Sequence, residues 1–313
     1  MYRPFIILFG IMAIGYICGK KKLLTGESLA GISSLTVYIF LPAMLAYNIG
    51  KTELSSSELK DFLVMLLLSG LSLIVNMVFS YFWYKFRKID AEDKKTLEFS
   101  SFINNNGFIG FPMALAFFGE QGVFYMVPTN ITLGVGIWTY GVILMNRGKK
   151  GASFSFKALL TGILKLILNP NIIATILGLI LCFGHIELPG ALADILSGLG
   201  SIATPLAMIY LGASLASCNF LDLLKDKLAL DSSLVRIVIA PAITLAAVYF
   251  LNITPIMKNI LMLEMILPVA ASMPMIIKAL GGRDVLCARV VFLSTIISIV
   301  TMPLWLTLQE YLF

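Results

Sequence analysis

The sequence predicts an all-α membrane protein whose ten transmembrane helices form an inverted repeat of five plus five. Its 313 residues are 59% hydrophobic and only 13% charged, whereas a soluble domain is nearer half apolar and a quarter charged. Apolar runs of membrane-spanning length follow one another along the chain, and landmark residues recur between its two halves. These features exclude a soluble globular protein and favour a multi-spanning one.

Ten apolar runs are long enough to cross a bilayer, and we call them spans 1 to 10. Their approximate limits are 4–19, 29–49, 62–84, 97–118, 123–145, 163–184, 196–217, 233–251, 256–280 and 287–308. The connections are short, and the longest are residues 85–95 and 147–157. No separate soluble domain is therefore predicted.

The basic residues are distributed unevenly over the connections. An even number of spans places both termini on one side. That side has four basic residues (Arg3, Lys51, Lys60 and Lys258), and the other side has nineteen. Basic residues favour the cytoplasmic side, so we predict a multi-pass protein of the cell (plasma) membrane with both termini extracellular. The net charge of +6 thus reflects topology and does not indicate a nucleic-acid partner.

Five landmark pairs recur at offsets of 162 to 167 residues: Pro4 with Pro170, Pro42 with Pro205, Pro112 with Pro274, Cys18 with Cys182, and Trp138 with Trp305. They divide the chain into residues 1–150, with spans 1 to 5, and residues 151–313, with spans 6 to 10. Five is odd, so the second half enters the membrane from the opposite side. Inverted repeats of this kind recur in secondary transporters, with binding sites between broken helices at the midplane.

Spans 4 and 9 correspond in this register, and helix-breaking residues interrupt both. Span 4 contains Asn104–Gly107, Gly110 and Pro112, and span 9 contains Pro268 and Pro274. A proline inside a helix leaves a carbonyl without its usual donor, and such backbone is tolerated in a membrane only within protein or beside a watery cavity. The two breaks are therefore predicted to face each other, with half-helix N-termini suited to a carboxylate.

The chain resembles the auxin efflux carrier family, which includes plant auxin exporters and bacterial permeases for malate- or malonate-like acids. The matching segments are "LPAML" (41–45), "NNGFIGFP" (105–112), "NPNIIATILGLIL" (169–181), "TPLAMIYLGASLA" (204–216), "RIVIAP" (236–241), "LPVAASMPMI" (267–276) and "GGRDVLCARVVFLSTIISIVTMPLW" (281–305). They cover nearly the whole chain.

The resemblance implies a bile-acid-symporter-like fold, with spans 1, 2, 6 and 7 as a scaffold and spans 3–5 and 8–10 as a transport domain. Spans 4 and 9 would cross at Pro112, Pro268 and Pro274, where an organic anion binds, and Asn105 would face that substrate. A homodimer is compatible with this resemblance. The long cytoplasmic loop of the plant members is absent, which favours a small prokaryotic-type permease over an auxin carrier.

Five residues are candidate substrate contacts: Asn105, Asn104, Asn106, Gly107 and Asn130. For the consecutive asparagines, the alternative is structural capping of the break. Successive helical residues point about 100° apart, so all three cannot face one cavity. For Asn130, hydrogen bonding between helices is the favoured interpretation.

Glu264 is the one acidic residue that the sequence places well inside a span, four residues before Pro268. A carboxylate at that depth is costly, so it should be neutral, paired or cation-bound. Two interpretations remain open, a site that couples transport to H⁺ or Na⁺ and a protonated cap for a carbonyl at the break. Arg236, at the inner end of span 8, is expected to anchor the helix or contact lipid, with recruitment of anions as the alternative.

The function predicted from these features is secondary active transport of small carboxylates by alternating access where spans 4 and 9 cross. The alternative is a passive anion channel or facilitator without ion coupling. An enzyme is not predicted, because no Gly-x-Ser-x-Gly or His-Glu-x-x-His motif occurs. No cofactor is expected, and the predicted partners are the organic anion and the lipid bilayer.

Overall fold

A computed structural model describes residues 2–52, 56–148, 164, 167–216 and 220–312, which are helical with short connections and contain no β-strand. The all-α class is confirmed for this part of the chain. The predicted boundary between the halves at 150/151 and the first residue of span 6, at 163, lie outside the described residues.

Seven helices of the described chain lie before residue 149, and three π-helical turns lie among them. The helices are α1 (Tyr2–Lys20), α2 (Gly26–Leu35), α3 (Leu41–Lys51), α4 (Ser56–Lys85), α5 (Ala91–Phe102), α6 (Phe111–Gly136) and α7 (Val142–Asn146). The π-helical turns are Thr36–Phe40, Asn106–Gly110 and Ile137–Gly141.

Eight further helices and one π-helical turn follow in the described part of the chain. The helices are α8 (Pro170–Phe183), α9 (Gly190–Ala216), α10 (Phe220–Lys225), α11 (Lys227–Leu234), α12 (Ala240–Tyr249), α13 (Pro255–Ile266), α14 (Met273–Ala279) and α15 (Asp284–Leu312). The π-helical turn Val235–Ile239 joins α11 to α12.

Seven helical segments of the described chain are long and apolar enough to cross a membrane: residues 3–20, 26–51, 58–85, 91–146, 190–216, 227–249 and 284–312. The stretch 91–146 covers predicted spans 4 and 5, and span 9 is divided between α13 and α14. The structure is consistent with a multi-pass membrane protein, and the count of ten spans stays a prediction.

Gly119 separates the two predicted spans inside the 91–146 stretch. Its φ of 63° and ψ of −153° are not helical, and this conformation is essentially restricted to glycine. The chain packs tightly after it, since a Cβ on Gly122 would lie 2.5 Å from the Ala114 carbonyl oxygen. α6 is thus two helical pieces on either side of a glycine turn.

The chain divides into two compact units. Unit 1 consists of Met1–Met65, Asn106–Val127 and Ile167–Cys218. Unit 2 consists of Leu66–Asn105, Pro128–Leu166 and Asn219–Phe313. The division into scaffold and transport spans remains a prediction.

In unit 1, α1 packs along α9 with their backbones close together. A Cβ on Gly15 would lie 2.3 Å from the Ile209 carbonyl oxygen, and one on Gly212 would lie 1.9 Å from that of Met12. Small residues let membrane helices approach closely enough for dispersion contacts between backbones. These glycines therefore set the spacing of α1 and α9.

In unit 2, α15 packs against α5, α11 and α14. Cys287 of α15 is fully buried, and Ser100 Oγ of α5 lies 3.5 Å from its sulfur. The side chains of Phe99 and Phe102 of α5 are also fully buried. α15 consequently helps to position α5, which leads into the span 4 break.

Candidate functional site

The span 4 break is shorter than the sequence predicts. α5 ends at Phe102, only Ile103–Asn105 are non-helical, and helical structure resumes at Asn106 as a π-helical turn. Gly107 and Gly110, which were predicted to lie in the break, are helical. The division between units 1 and 2 also falls here, between Asn105 and Asn106.

The span 9 break lies between Ile266, where α13 ends, and Met273, where α14 begins. Pro268 lies in this non-helical segment. Pro112, which the sequence repeat pairs with Pro274, follows the π-helical turn that ends at Gly110. Pro274 occupies the second position of α14, the helix that follows the span 9 break. Proline is tolerated there because the first helical N–H groups have no intrahelical acceptor. Pro274 therefore begins a helix.

Three backbone carbonyls at the span 9 break accept hydrogen bonds from other parts of unit 2. Arg236 donates from Nη2 to the Glu264 carbonyl (2.7 Å) and from Nε to the Leu267 carbonyl (3.0 Å). The Asn105 N–H donates to the Pro268 carbonyl (2.9 Å). The last carbonyls of a helix lack intrahelical partners, so these donors stabilise the broken end of α13. The hydrogen bond from Asn105 joins the two breaks directly.

The hydroxyls of α15 complete this backbone pairing. Ser294 Oγ accepts from the Val269 N–H at 3.2 Å, and both Ser294 and Thr295 donate to the Val291 carbonyl. Ser298 donates to the Thr295 carbonyl. These side chains satisfy backbone groups of α15 and of the span 9 break.

Arg236 is fully buried, so the expectation of an anchor or lipid contact is wrong. Its π-helical turn lies between α11 and α12, and its side chain reaches the carbonyls of α13. A charged group at membrane depth is stable only when polar partners face it. The backbone break supplies those partners.

Glu264 is also fully buried, in the last turn of α13. Its Oε1 accepts a hydrogen bond from Asn104 Nδ2 at 3.3 Å. Glu264 Oε2 and Asn104 Oδ1 are buried and have no hydrogen-bond partner among the described residues. A buried polar group of this kind requires an explanation, and a proton or a bound ligand would provide one.

The predicted substrate contacts are distributed over both units. Asn104, Asn105 and Asn106 are at most 2% exposed, whereas Gly107 and Asn130 are partly exposed. Asn106 and Gly107 belong to unit 1, and the other three belong to unit 2. Their roles as substrate contacts stay predictions.

Glu98 is a second buried carboxylate, although Glu264 was the one acidic residue predicted to lie well inside a span. Glu98 lies within α5, is 1% exposed, and receives Arg147 Nη2 at 3.1 Å and 3.0 Å on its two oxygens. Tyr140 also donates to it. Its position at the second residue of predicted span 4 was the available signal.

Asp90 caps the N-terminus of α5 outside the apolar helices. It accepts from the backbone N–H groups of Glu92 and Asp93, and Arg283 Nη2 lies 3.2 Å away. The hydrogen bonds from those two N–H groups, followed by that from Arg283, hold the pKa of Asp90 below its ordinary value. The cap therefore favours the ionised carboxylate.

Comparison with known proteins gives a family match over nearly the whole chain. The model of a family described as "Membrane transport protein" matches residues 1–306. An uncharacterized transporter of Methanocaldococcus jannaschii is 27% identical over 96% of both chains. Another, from Methanothermobacter thermautotrophicus, is 26% identical over 94% of both.

Proposed function

The chain belongs to the membrane transport protein family, which is the auxin efflux carrier family, and on this premise we propose that it is a secondary active transporter of small organic anions. The substrate class is carboxylates, of the malate- or malonate-like or auxin-like type. Transport proceeds by alternating access, in which the breaks of spans 4 and 9 change exposure between the two sides of the membrane.

The observation that carries the proposal is the hydrogen bond from the Asn105 N–H to the Pro268 carbonyl. It joins the span 4 break to the span 9 break within unit 2, at a place where the side chains of Asn104 and Asn105 are buried. Transporters bind substrates where discontinuous helices meet, because unwound backbone and half-helix ends offer polar groups there. This placement supports binding at the breaks over binding at any helix surface.

The chemistry of the span 4 break suits a carboxylate. Asparagine Nδ2 groups donate hydrogen bonds, and donation to a charged acceptor is stronger than donation to a neutral one. The chain returns to helical structure at Asn106, and the first N–H groups of a helix attract anions. Asn105 is the proposed first contact, with Asn104 beside it.

A facilitator without ion coupling is the second candidate. Purified protein in liposomes separates the two, with labelled malonate, malate and an aromatic acid tested one at a time. A carrier accumulates the labelled acid above its outside concentration under an imposed ion gradient, and it loses the accumulation when the gradient collapses. Equilibration without accumulation under proton and sodium gradients would establish the facilitator.

Asn105→Ala tests the proposed contact. Alanine keeps the backbone N–H that bonds to Pro268, so the substitution removes only the amide side chain. Loss of a hydrogen bond to a charged substrate should weaken apparent affinity by about tenfold or more. Substrate-dependent thermal stabilisation and uptake kinetics both measure this.

Asn48→Ala is the matched control, because Asn48 bonds to the Met44 carbonyl of its own helix. It should leave affinity unchanged. Wild-type affinity in Asn105→Ala would remove that side chain from the site.

A further inference from the structure

The polar groups at the span 9 break include one permanent positive charge. Arg236 is fully buried, and a guanidinium keeps its proton in proteins. It bonds to two backbone carbonyls, and its Nη1 lies 3.9 Å from Met265 Sδ. It forms no ion pair with a described carboxylate. The positive charge is therefore stabilised by the dipoles of these two backbone carbonyls.

Carbonyls at the C-terminal end of a broken helix are the groups that bind coupling cations in many transporters. The partial negative charge of the helix end adds to this attraction. Here Arg236 bonds to the carbonyls of Glu264 and Leu267, and Asn105 bonds to that of Pro268. The guanidinium thus places its own positive charge against the carbonyls that a sodium ion would need as ligands.

Glu264 lacks the surroundings of a metal-ion ligand. Among the described residues, no three His, Cys, Asp or Glu side chains come close enough to hold a metal ion. Its Oε1 accepts from a neutral amide, and its Oε2 has no partner in the described chain. A carboxyl with one occupied and one open oxygen is suited to gain and lose a proton at Oε2.

The groups around Glu264 leave Arg236 as its charged neighbour in the described chain. Helix α5 leads to the neutral Asn104, and α15 contributes the neutral Ser294. Helix α12, which packs on α13, has Tyr249 as its titratable residue, and that side chain is exposed. The net charge of the break therefore depends on whether Glu264 carries its proton.

We propose that Arg236 is a resident cation at the span 9 break which replaces a coupling sodium ion, so that the coupled ion is a proton on Glu264. This inference rests on the proposed function. When Glu264 is ionised, its charge offsets that of Arg236. When Glu264 binds a proton at Oε2, the Arg236 charge is uncompensated and favours an organic anion. Proton and anion then bind together, a reciprocal coupling between two sites.

The test uses the purified full chain without substrate. Infrared spectra recorded over a pH series should show a carboxylic-acid C=O band that disappears as pH rises and is missing in Glu264→Gln. Thermal melting in sodium chloride and in choline chloride should give the same midpoint. A sodium-specific rise in the midpoint, or wild-type spectra identical to those of Glu264→Gln at every pH, overturns the proposal.

Arg236 variants examine the charge directly. In Arg236→Gln the acid band should persist to higher pH than in Arg236→Lys, because lysine keeps a positive charge and glutamine does not. Arg283→Gln is the control, since Arg283 pairs with the exposed Asp90 outside the apolar helices, and it should leave the band unchanged. Equal behaviour of the two Arg236 variants counts against the proposal. If neither folds, the wild-type and Glu264→Gln measurements decide it.

These measurements need no transported substrate, so they fail independently of the proposed function. If no carboxylate is taken up while the Glu264 band titrates without a sodium effect, the proposed function alone is rejected.

Discussion

Glu98 and Glu264 are both buried in unit 2, and their surroundings differ. Glu98 has the guanidinium of Arg147 on both oxygens and the hydroxyl of Tyr140. Glu264 has one amide hydrogen bond, from Asn104, and an oxygen without a partner in the described chain. Burial alone therefore does not identify a functional acid. The unfilled hydrogen-bonding capacity of Glu264 distinguishes it from a structural ion pair.

Glu264→Gln should have the largest effect on transport. Glutamine resembles the protonated carboxyl, so substrate binding should persist and lose its pH dependence, while accumulation driven by a pH gradient is abolished. Uptake with an imposed gradient, compared with counterflow at constant pH, measures the two properties separately. Accumulation at the wild-type level would make Glu264 a structural residue like Glu98.

Glu98→Gln should act on stability instead. It removes the charge that pairs with Arg147, which is about half exposed and can turn to water. We expect a loss of about 2 kcal/mol in the free energy of unfolding, measured by titration with sodium dodecyl sulfate. The pH dependence of transport by the folded protein should stay that of wild type. A variant that loses coupling and keeps its stability would reverse the contrast between the two acids.

Tyr140→Phe sharpens the same contrast with a smaller change. It removes one donor to Glu98 and leaves the pair with Arg147. The expected loss is about 1 kcal/mol in the free energy of unfolding, in the same detergent titration. A loss larger than that of Glu98→Gln would show that Tyr140 stabilises the helix by another contact.

Asp90→Asn removes an exposed carboxylate, for comparison with the two buried acids, and should have the smallest effect. Asparagine is also a good N-cap, so the difference from wild type reports the charge. Because the pKa of Asp90 is held below its ordinary value, its ionised form stabilises the protein above the ordinary carboxyl range. That stabilisation is lost as pH falls through the lowered pKa.

Melting midpoints over a pH series measure this difference, which should vanish in acid. A difference that grows on acidification would contradict the assigned sign.

The sequence predicts the helical class and the positions of the breaks because both depend on local composition. Runs of apolar residues define the helices, and Pro268 and Pro274 mark an interruption that the structure contains. Which groups bond to the freed carbonyls depends on tertiary contacts. Arg236 is 28 residues from Glu264 along the chain, and no local pattern indicates that its side chain turns inward.

The ion pair of Glu98 with Arg147 could not be predicted from the sequence for the same reason. Arg147 lies 49 residues away, beyond predicted span 5, and a charge near the start of an apolar run is usually solvated. Glu264 was recognised because it lies deep in its run, far from any boundary. Depth in a span can be read from sequence, but the identity of a partner cannot.

The contact between Cys287 and Ser100 gives the native chain an internal chemical reporter. A thiol reagent can reach the buried sulfur only when the packing around it, which includes the contact of α5 with α15, opens, whereas Cys18 of α1 is partly accessible. The ratio of their modification rates would therefore measure how often the packing around α15 opens. Adding substrate or changing pH would show whether that opening accompanies turnover, without an engineered label.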